Sequence, residues 1–535
     1  MGFSTLPSLP YGDGIRKAVS EAFGGYDHNL GAGNGTIWDE GNMTSDYFPL
    51  MATRAPRYAI DTMTDPSALF SLAGLWWVDG TSLYHDGDFV TSVTAGEKQF
   101  AAMGMRLILW PDKIVVNAED NTVTQLGASV TASCVIRDGT YAGEEAEGNT
   151  IYAASVTWSS LFKVGDAVTI TGAATESNNK TAIIREIEGH ELRFYENAFT
   201  DEGPVTLTVE REIPDLDFLC VNENRLWGCR GDTIYASKLG DPMNFNVFDG
   251  VSTDSYAVDA GSAGAFTGCC SYLGYPVFFK EEHIYKVYGA KPSAFQLMGS
   301  ATLGVAAGSH KSLAIAGETL YYLSRAGICA YAGGVPEIIS VPLGLDRFTD
   351  AVGGSDGRKY HVVMKNTLTG EWHHFVWDSR RTLWHREDDR EAVGFTYEDG
   401  ELWMLTADGE LLGLGLAGTP AGAVIEVGME SFVETNDFTE GDPNRKGTAK
   451  LQLRGEIGLD ATLVILIRFD TERAGAPSAT DGRWETVTTI RASEKRSWYL
   501  PIIPRRSDHF RLRFDGVGEW RLYSLVRENY SGSEI

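Results

Sequence analysis

The chain has 535 residues, of which 43% are hydrophobic and 60 are glycine, and its 45 basic and 73 acidic side chains give a formal net charge of −28. A chain of this length can bury several hydrophobic cores, and typical domain sizes predict roughly two to four domains. The strong negative charge argues against a protein that wraps a phosphate backbone, because such proteins need clustered Lys and Arg.

The sequence also lacks targeting and membrane signals. The start MGFSTLPSLP has no charged region followed by an apolar run, so we expect no secretory signal. No run of about 18 apolar residues occurs, so we expect no membrane span. The six cysteines have no metal-ligand spacing, and we expect them to be small buried side chains.

Residues 1–66 are predicted to form an extended N-terminal arm. The segment from Asn42 to Arg57 is rich in turn-forming residues and carries two aromatic side chains and two arginines. We expect this segment to dock on a neighbouring subunit; alternatively, it covers the edge of its own chain and closes it against the last repeat. The candidate docking residues are Asn42, Asp46, Tyr47, Phe48, Arg54 and Arg57.

A strand–turn–strand pattern then recurs along the chain. In NRLWGCRGDTIYASKLGDPMNF (224–245), apolar residues at every second position flank an Arg-Gly-Asp turn, which is typical of a β-hairpin. Related patterns occupy 74–87, 105–118, 274–289, 318–334, 359–378 and 400–415. Most of them start roughly 40 to 50 residues apart, which is the period of a four-stranded propeller blade. The sequence therefore predicts an all-β chain whose residues 67–127 and 213–417 form a β-propeller of about seven blades.

Two further domains are predicted from the regions that break this period. Residues 128–212 contain short alternating strands separated by Gly- and Asn-rich turns, which favours a small inserted β-barrel of about five strands. Residues 418–535 contain longer alternating strands, as in a C-terminal β-sandwich. Residues 445–527 hold 16 Lys and Arg against 10 Asp and Glu, so this end is basic on an acidic chain. Such asymmetry suits subunits that pack head to side.

Several stretches resemble structural tail proteins of tailed bacteriophages. The N-terminal stretch FGGYDHNLGAGNGTIWDEGNMTSDYFPLMATRAPR (23–57) looks like their amino terminus, and the hairpin at 224–245 is similar to a blade that they carry. The stretch RLRFDGVGEWRLYSLVRENYSGSE (511–534) resembles their final strands. FKVGDAVTITG (162–172) and NNKTAIIREIEG (178–189) look like modules common in phage tail proteins. The family is that of tail nozzle or head-to-tail stabilisation proteins.

This resemblance implies a virion structural protein of the tail, assembled in the host cytoplasm. The implied subunit is a propeller that forms a homo-oligomer, typically a hexameric ring, which lines or extends the DNA ejection channel. The implied partners are neighbouring tail or adaptor proteins and the genomic DNA, which passes without sequence-specific binding. A carboxylate-rich wall would suit such a channel, since each neutralised phosphate adds affinity; alternatively, the acidity is only a solvated outer surface.

Catalytic and metal-binding motifs are missing from the sequence. No G-x-S-x-G, P-loop or H-E-x-x-H motif occurs, so we predict no enzyme, no catalytic residue, no cofactor and no metal. His373 and His374 are adjacent on a predicted strand and point to opposite faces, so they cannot bind one metal together. The acidic stretches HDGD (85–88), EDD (387–389) and DGE (408–410) are predicted to lie at hairpin turns, where Asp and Gly serve local hydrogen bonding.

A receptor- or carbohydrate-binding propeller of the tail tip is the alternative function, and a glycan-cleaving enzyme is a weaker one. Exposed tryptophans can stack on sugars, and a pair of carboxylates can act as acid and base. The tryptophans that could take this part are Trp76, Trp77, Trp227 and Trp403, with carboxylates from 387–389. Because most of these aromatics recur at equivalent hairpin positions, we expect them to pack between repeats instead.

Overall fold

The computed structural model describes residues 16–29, 35–139, 148–195, 199–441, 445–469, 484–504 and 506–531. The predicted arm is therefore described except for 1–15 and 30–34, and most of the Gly-rich stretch at 31–35 lies outside the described residues. Within the described ranges the chain forms strands and five short 3-10 turns, and no helix there is long and apolar enough to cross a membrane. The predicted all-β fold class is confirmed.

The segment predicted as an arm contains five strands. They are β1 (Arg16–Ser20), β2 (Ile37–Gly41), β3 (Met43–Thr44), β4 (Met51–Thr53) and β5 (Tyr58–Thr62). The first four pair within a large C-terminal sheet, and β5 pairs within the last of the repeated sheets. The segment thus folds against its own chain, which differs from the extended arm that the sequence predicts, because its strands find their partners near the other end of the sequence.

Two four-stranded antiparallel sheets and a barrel follow. Sheet 1 comprises β6 (Pro66–Ser71), β7 (Leu75–Asp79), β8 (Ser82–His85) and β9 (Asp88–Ser92), and sheet 2 comprises β10 (Gln99–Met103), β11 (Arg106–Trp110), β12 (Ile114–Asn117) and β13 (Val123–Gln125). The barrel comprises β14 (Ala128–Arg137), β15 (Thr150–Tyr152), β16 (Ala167–Thr171), β17 (Thr181–Glu188), β18 (Glu191–Phe194) and β19 (Glu202–Arg211). Its strand order is β14-β15-β18-β17-β16-β19, closed. The barrel has one strand more than the sequence predicts.

Sheets 3, 4 and 5 have the same plan as sheets 1 and 2. Sheet 3 comprises β20 (Phe218–Asn222), β21 (Arg225–Arg230), β22 (Thr233–Ala236) and β23 (Tyr256–Asp259). Sheet 4 comprises β24 (Gly268–Tyr272), β25 (Tyr275–Lys280), β26 (His283–Tyr288) and β27 (Gln296–Ala301). Sheet 5 comprises β28 (Ala314–Ala316), β29 (Thr319–Ser324), β30 (Gly327–Tyr331) and β31 (Glu337–Ile338). The hairpin motif of 224–245 forms β21 and β22, and its turn contains Gly231 at a φ of +60°.

Sheets 6 and 7 complete the series. Sheet 6 comprises β32 (Phe348–Ser355), β33 (Lys359–Asn366), β34 (Trp372–Asp378) and β35 (Leu383–Arg386). Sheet 7 comprises β36 (Ala392–Glu398), β37 (Glu401–Thr406), β38 (Glu410–Gly413), the N-terminal β5 and β39 (Val424–Ile425), in that order. The N-terminal segment therefore supplies a strand to the sheet that ends the series.

Each sheet buries its faces against the sheets before and after it. Alternating apolar residues from consecutive sheets form shared hydrophobic clusters between sheets 1 and 2, 2 and 3, 3 and 4, 4 and 5, 5 and 6, and 6 and 7. A further cluster joins sheet 7 to sheet 1, with Leu405 and Leu411 packed against Leu75 and Trp77. Packing thus runs from sheet to sheet and returns to its start.

The C-terminal sheet contains ten strands. Besides β1–β4 they are β40 (Glu430–Thr435), β41 (Lys446–Phe469), β42 (Glu485–Leu500), β43 (Arg506–Ser507), β44 (Phe510–Val517) and β45 (Trp520–Ser531). The long strand β41 pairs with β45 along its first half and with β44 along its second half. Hydrogen bonds join all ten strands into one sheet. The β-sandwich expected over residues 418–535 stays a prediction.

Candidate functional site

The segment with the candidate docking residues lies along the outer strand of sheet 6. Strands β2 and β3 contact β35. The backbone N–H of Asn42 donates to the carbonyl oxygen of Glu387 at 2.6 Å, and the hydroxyl of Ser45 donates to Asp378 at 2.7 Å. The segment is therefore fixed to its own chain, as the alternative interpretation of the arm expects.

Two of the candidate docking residues make polar contacts at this interface. Asn42 accepts a hydrogen bond from Arg54 Nε at 2.8 Å and donates one to the carbonyl oxygen of Glu430 at 2.7 Å. The carboxylate of Asp46 accepts from Lys359 Nζ at 2.8 Å. Burial alone would raise the pKa of Asp46, but the Lys359 ammonium group lowers it below its usual range.

The two aromatic candidates remain closer to the surface. Tyr47 is 41% exposed, and the guanidinium carbon of Arg521 lies 3.9 Å from the centre of its ring. The guanidinium carbon of Arg381 lies 5.1 Å from the ring centre of Phe48. Both contacts are cation–π pairs, and Tyr47 keeps a large part of its surface open to solvent.

The two arginines are buried in a charge network. Arg54 forms a bidentate ion pair with Glu426: its Nη1 donates to Oε2 at 2.7 Å, and its Nη2 donates to Oε1 at 3.1 Å. Arg57 Nη2 donates to Glu387 Oε2 at 2.5 Å, and its Nη1 donates to Asp388. The side chain of Arg57 is 3% exposed and that of Glu387 is 9% exposed. We call the set Arg54, Arg57, His361, His374, Glu387, Asp388 and Glu426 the charge network.

The ionisation of the network follows from these contacts. Burial would raise the pKa of Glu387, but the side chains of His374 and Arg57 beside it lower this pKa to about 2. Burial would likewise raise the pKa of Asp388, and Arg57 holds it well below its usual range. The same carboxylates raise the pKa of Arg57 despite its burial. Both carboxylates are therefore ionised at neutral pH, and Arg57 compensates them.

The hydrogen bonds of His361 and His374 indicate which of their ring nitrogens carry protons. A guanidinium can only donate, so the 3.0 Å contact from Arg57 Nη2 makes His374 Nδ1 an acceptor. His374 Nε2 then carries the proton and donates it to His361 Nδ1 at 3.2 Å. Burial lowers the pKa of His361 to about 3, which keeps this ring neutral. His361 therefore acts as a neutral hydrogen-bonding group.

The described part of the chain contains one group of side chains with the composition and spacing of a metal site. It consists of His361, His374 and Glu387. Their candidate ligand atoms lie within 4.8 Å of one another. Imidazole and carboxylate ligands suit Zn²⁺, but the His361–His374 hydrogen bond already uses two of the ligand nitrogens. The guanidinium of Arg57 also puts a positive charge beside this group. The donor set therefore fits a protein charge network better than a cation site.

Sequence reasoning missed this network for two reasons. It considered His374 with its sequence neighbour His373, whereas the structure pairs His374 with His361 on the adjacent strand and turns His373 towards Asp389 at 3.1 Å. It also expected residues 387–389 to lie at a hairpin turn, whereas they connect β35 to β36. The available signal was one of charge: the acidic triplet at 387–389 needs positive partners wherever it is buried.

A narrow cavity lies where the first strands of sheets 1–7 meet. Its volume is about 270 Å³, and its lining includes Phe70, Phe100, Phe218 and Phe395. His310 and Lys311, which also line it, form ion pairs with Glu97, and these contacts lower the pKa of Glu97 to about 2. The cavity has room for about nine water molecules at roughly 30 Å³ each.

The tryptophans considered for sugar binding lie inside the packing between sheets. The exposed fractions of Trp76, Trp77, Trp227 and Trp403 are 0%, 5%, 2% and 8%. Trp76 packs in the cluster between sheets 1 and 2, and Trp227 in that between sheets 3 and 4. In this conformation none of the four offers a face to a ligand.

Comparison with known proteins assigns no family. No protein-family model matches the chain, and no curated protein matches its sequence. Among solved structures, an endosialidase of phage phi92 is 12% identical over 68% of this chain and 66% of its own, with a TM-score of 0.21. A dipeptidyl peptidase 4 from Porphyromonas gingivalis is 10% identical over 78% of this chain and 60% of its own, with a TM-score of 0.27. An exported protein from Bacteroides fragilis is 12% identical over 51% and 84%, with a TM-score of 0.23. Similarity at this level supports no conclusion about function.

Proposed function

We propose that this chain is a structural subunit of a phage tail and assembles with copies of itself, as a hexameric ring, around the DNA ejection channel. Sheets 1–7 are the blades of a seven-bladed propeller in this proposal, and the C-terminal sheet forms the sandwich. The sequence resemblance at 23–57, 224–245 and 511–534 supplies the phage tail context. No catalytic activity is part of the proposal.

The charge network is the observation that carries the architectural part of this proposal. It is the most strongly charged buried site that the described residues form, and its groups are used to join the N-terminal segment to sheets 6 and 7. Arg57 reaches Glu387 and Asp388, while Arg54 reaches Glu426 just after β39. Groups held in mutual ion pairs serve rigidity and are poorly placed to act on a substrate.

The cavity between the sheets bears on the path of DNA in this proposal. Its volume of about 270 Å³ has room for about nine water molecules, whereas the major groove of B-DNA is by itself about 12 Å wide. DNA would therefore run between copies of the chain, along a surface that each copy contributes, and not along the axis of one propeller. The net charge of −28 suits such a wall because it does not retain phosphate.

Two measurements test the proposal. Light scattering of the full chain should give the mass of a closed oligomer, and cryo-electron microscopy of particles that contain it should show a ring around an open channel. A monomer in solution that is also peripheral in the particle would contradict the proposal. Binding to a glycan array would then favour the receptor-binding alternative.

Deleting residues 1–57 is a poor test of docking, because the described residues of this range contribute four strands to the C-terminal sheet. The deletion would remove β1–β4 and leave Glu387 and Asp388 buried without Arg57. We expect the truncated chain to misfold rather than to remain as a folded monomer. Substitutions on exposed faces are the appropriate test.

A further inference from the structure

A strip of tyrosines and cations crosses the outer face of the C-terminal sheet. In each pair the cationic group lies over the ring of a tyrosine: the distance to the ring centre is 4.9 Å for Lys450 and Tyr499, 3.6 Å for Lys495 and Tyr523, and 3.9 Å for Arg521 and Tyr47. The pairs come from β41, β42, β45 and the turn before β4. We call these six residues the tyrosine–cation strip.

Strand alternation places this strip on the solvent side. Leu451 and Leu453 of β41 are fully buried in the core, whereas Gln452 between them is opposite Tyr499, which is 64% exposed. A cation–π contact attracts the positive group to the face of the ring, which favours a fixed position for that group. Two carboxylates lie beside the strip: Glu528 is 3.9 Å from Lys450, and Glu456 accepts a hydrogen bond from the Tyr523 hydroxyl at 3.0 Å. With three cations against these two carboxylates, the strip presents a net positive charge and aromatic surface to a partner.

The strip adjoins a long edge strand. Among the described residues, β42 pairs with β41 along one side and with no strand along the other. Edge strands of this length present unpaired backbone groups that another chain can use. Glu494, Lys495 and Arg496 lie on this strand and are exposed, so a partner that approaches the edge meets mainly positive charge.

The charge of the chain itself identifies the partner that fits. Residues 445–527 hold 16 basic and 10 acidic side chains, whereas residues 58–127 and 213–417, which contain sheets 1–7, hold 19 basic and 35 acidic ones. We infer that the tyrosine–cation strip and the edge of β42 bind the acidic sheets of a second copy of this chain. This inference rests on the proposed self-assembly and assigns a surface to it. Association through such a surface weakens as the salt concentration rises.

Charge reversal of the strip tests this inference in the full-length protein. The test variant carries Lys450→Glu, Lys495→Glu and Arg521→Glu. A control variant with the same change in net charge, placed on exposed or half-buried sites of the barrel and so outside both proposed surfaces, carries Arg137→Glu, Lys163→Glu and Lys180→Glu. Lys180 is a close match because it also lies over an aromatic ring, 4.7 Å from the centre of Phe199. Thermal melts of both variants check that the sheets remain folded.

Light scattering over a range of protein concentrations then separates the outcomes. The inference expects the wild type and the control variant to assemble alike and the test variant to need about a hundredfold more protein, because repulsion replaces attraction at three contacts. Should the test variant melt early, the same three positions changed to Gln remove the charge and should still weaken assembly at least about tenfold.

Three results would overturn the inference, and they differ in what else they affect. If the test variant assembles like the wild type, self-assembly stands and only the surface is wrong. If the wild type is a monomer at every concentration, the proposed self-assembly fails as well. If the wild type shifts a short DNA duplex in a gel and the test variant neither shifts it nor changes its assembly, the strip binds nucleic acid instead.

Discussion

Replacing Arg57 with Ala should open the contact between the N-terminal segment and sheet 6. Arg57 is the main positive group facing Glu387 and Asp388, and its side chain is 3% exposed. Its removal would leave two buried carboxylates, each with one remaining guanidinium nitrogen at 3.8 Å: Arg54 Nε beside Glu387 and Arg390 Nε beside Asp388. Removing one partner of a buried ion pair costs about 3–5 kcal/mol, because the other charge stays buried without compensation.

Hydrogen exchange measured by mass spectrometry reports the local stability of the backbone hydrogen bonds at this contact. The backbone N–H of Arg54 donates to the carbonyl oxygen of Asn42 at 3.0 Å, and that of Glu387 donates to the carbonyl oxygen of His374 at 2.8 Å. A loss of 3 kcal/mol or more should speed the exchange of these amides by about a hundredfold or more, at 1.4 kcal/mol for each factor of ten. Peptides from the barrel serve as an internal reference that should not change.

Two control variants separate charge compensation from side-chain loss. Arg325 forms an exposed ion pair with Glu282, so Arg325→Ala should change local stability by less than about 1 kcal/mol. Combining Arg57→Met with Glu387→Gln and Asp388→Asn removes all three charges and should recover most of the protection. If Arg57→Ala speeds exchange by less than tenfold, the guanidinium does not compensate these carboxylates and the account of the network is wrong.

Three further predictions concern the stability of the charge network at low pH, the ion pair of the barrel and the packing around Gly304. Folding lowers the pKa of His361 to about 3 and that of Glu387 to about 2. The unfolded chain therefore binds more protons than the folded chain, and the free energy of unfolding falls as the pH falls. The effect of His361 begins below about pH 6.5, and that of Glu387 begins below about pH 4.5. The protection of the arm amides at pH 7, 5.5 and 4, after correction for the intrinsic pH dependence of amide exchange, should fall accordingly, and constant protection would contradict this. Arg211→Ala should leave Asp166 buried without its 2.5 Å partner and make the barrel sensitive to limited proteolysis before sheets 1–7, whereas equal resistance would refute it. Gly304→Ala should lower the melting temperature, because the added Cβ would lie 2.0 Å from a backbone oxygen of sheet 4; an unchanged melt would refute this.

The parts of the fold that depend on neighbouring residues could be predicted from the sequence. In β21 and β22 the apolar residues alternate, the turn contains Gly231, and Trp227 lies opposite Ala236 nine residues later. Such hairpins are encoded locally, so their pattern is visible. Strand β5 was not predicted, because Tyr58 lies opposite Gly413 and the five residues of β5 carry no recognisable pattern without that partner.

The charge network was hidden for the same physical reason. Arg57 and Glu387 are 330 positions apart, and neither residue lies in a motif with a characteristic spacing. Burial decides what such groups do, and burial cannot be read from an isolated Arg or Glu. The aromatic pattern was more informative, since recurrence at equivalent hairpin positions correctly predicted that Trp76 and Trp227 pack between sheets.

The two ends of the chain are parts of one folded unit, and this changes how the N-terminal segment can act. Phe23, Ile37 and Met51 pack in the same core as Phe514 and Leu522, and Met51 lies opposite Leu522 in the pairing of β4 with β45. The described residues of 23–57 and of 511–531 are therefore parts of one sheet and one core.

A segment held by a core on one side and by the charge network on the other cannot extend to a neighbour without losing both. Whatever binds here must use the folded face as it stands. Asp46 and Tyr47 are candidate docking residues that this face leaves exposed, and Arg521 of β45 covers one side of the Tyr47 ring. Contact between copies would thus depend on strands from both ends of the sequence, and changes at Arg521 and at Tyr47 should affect assembly together.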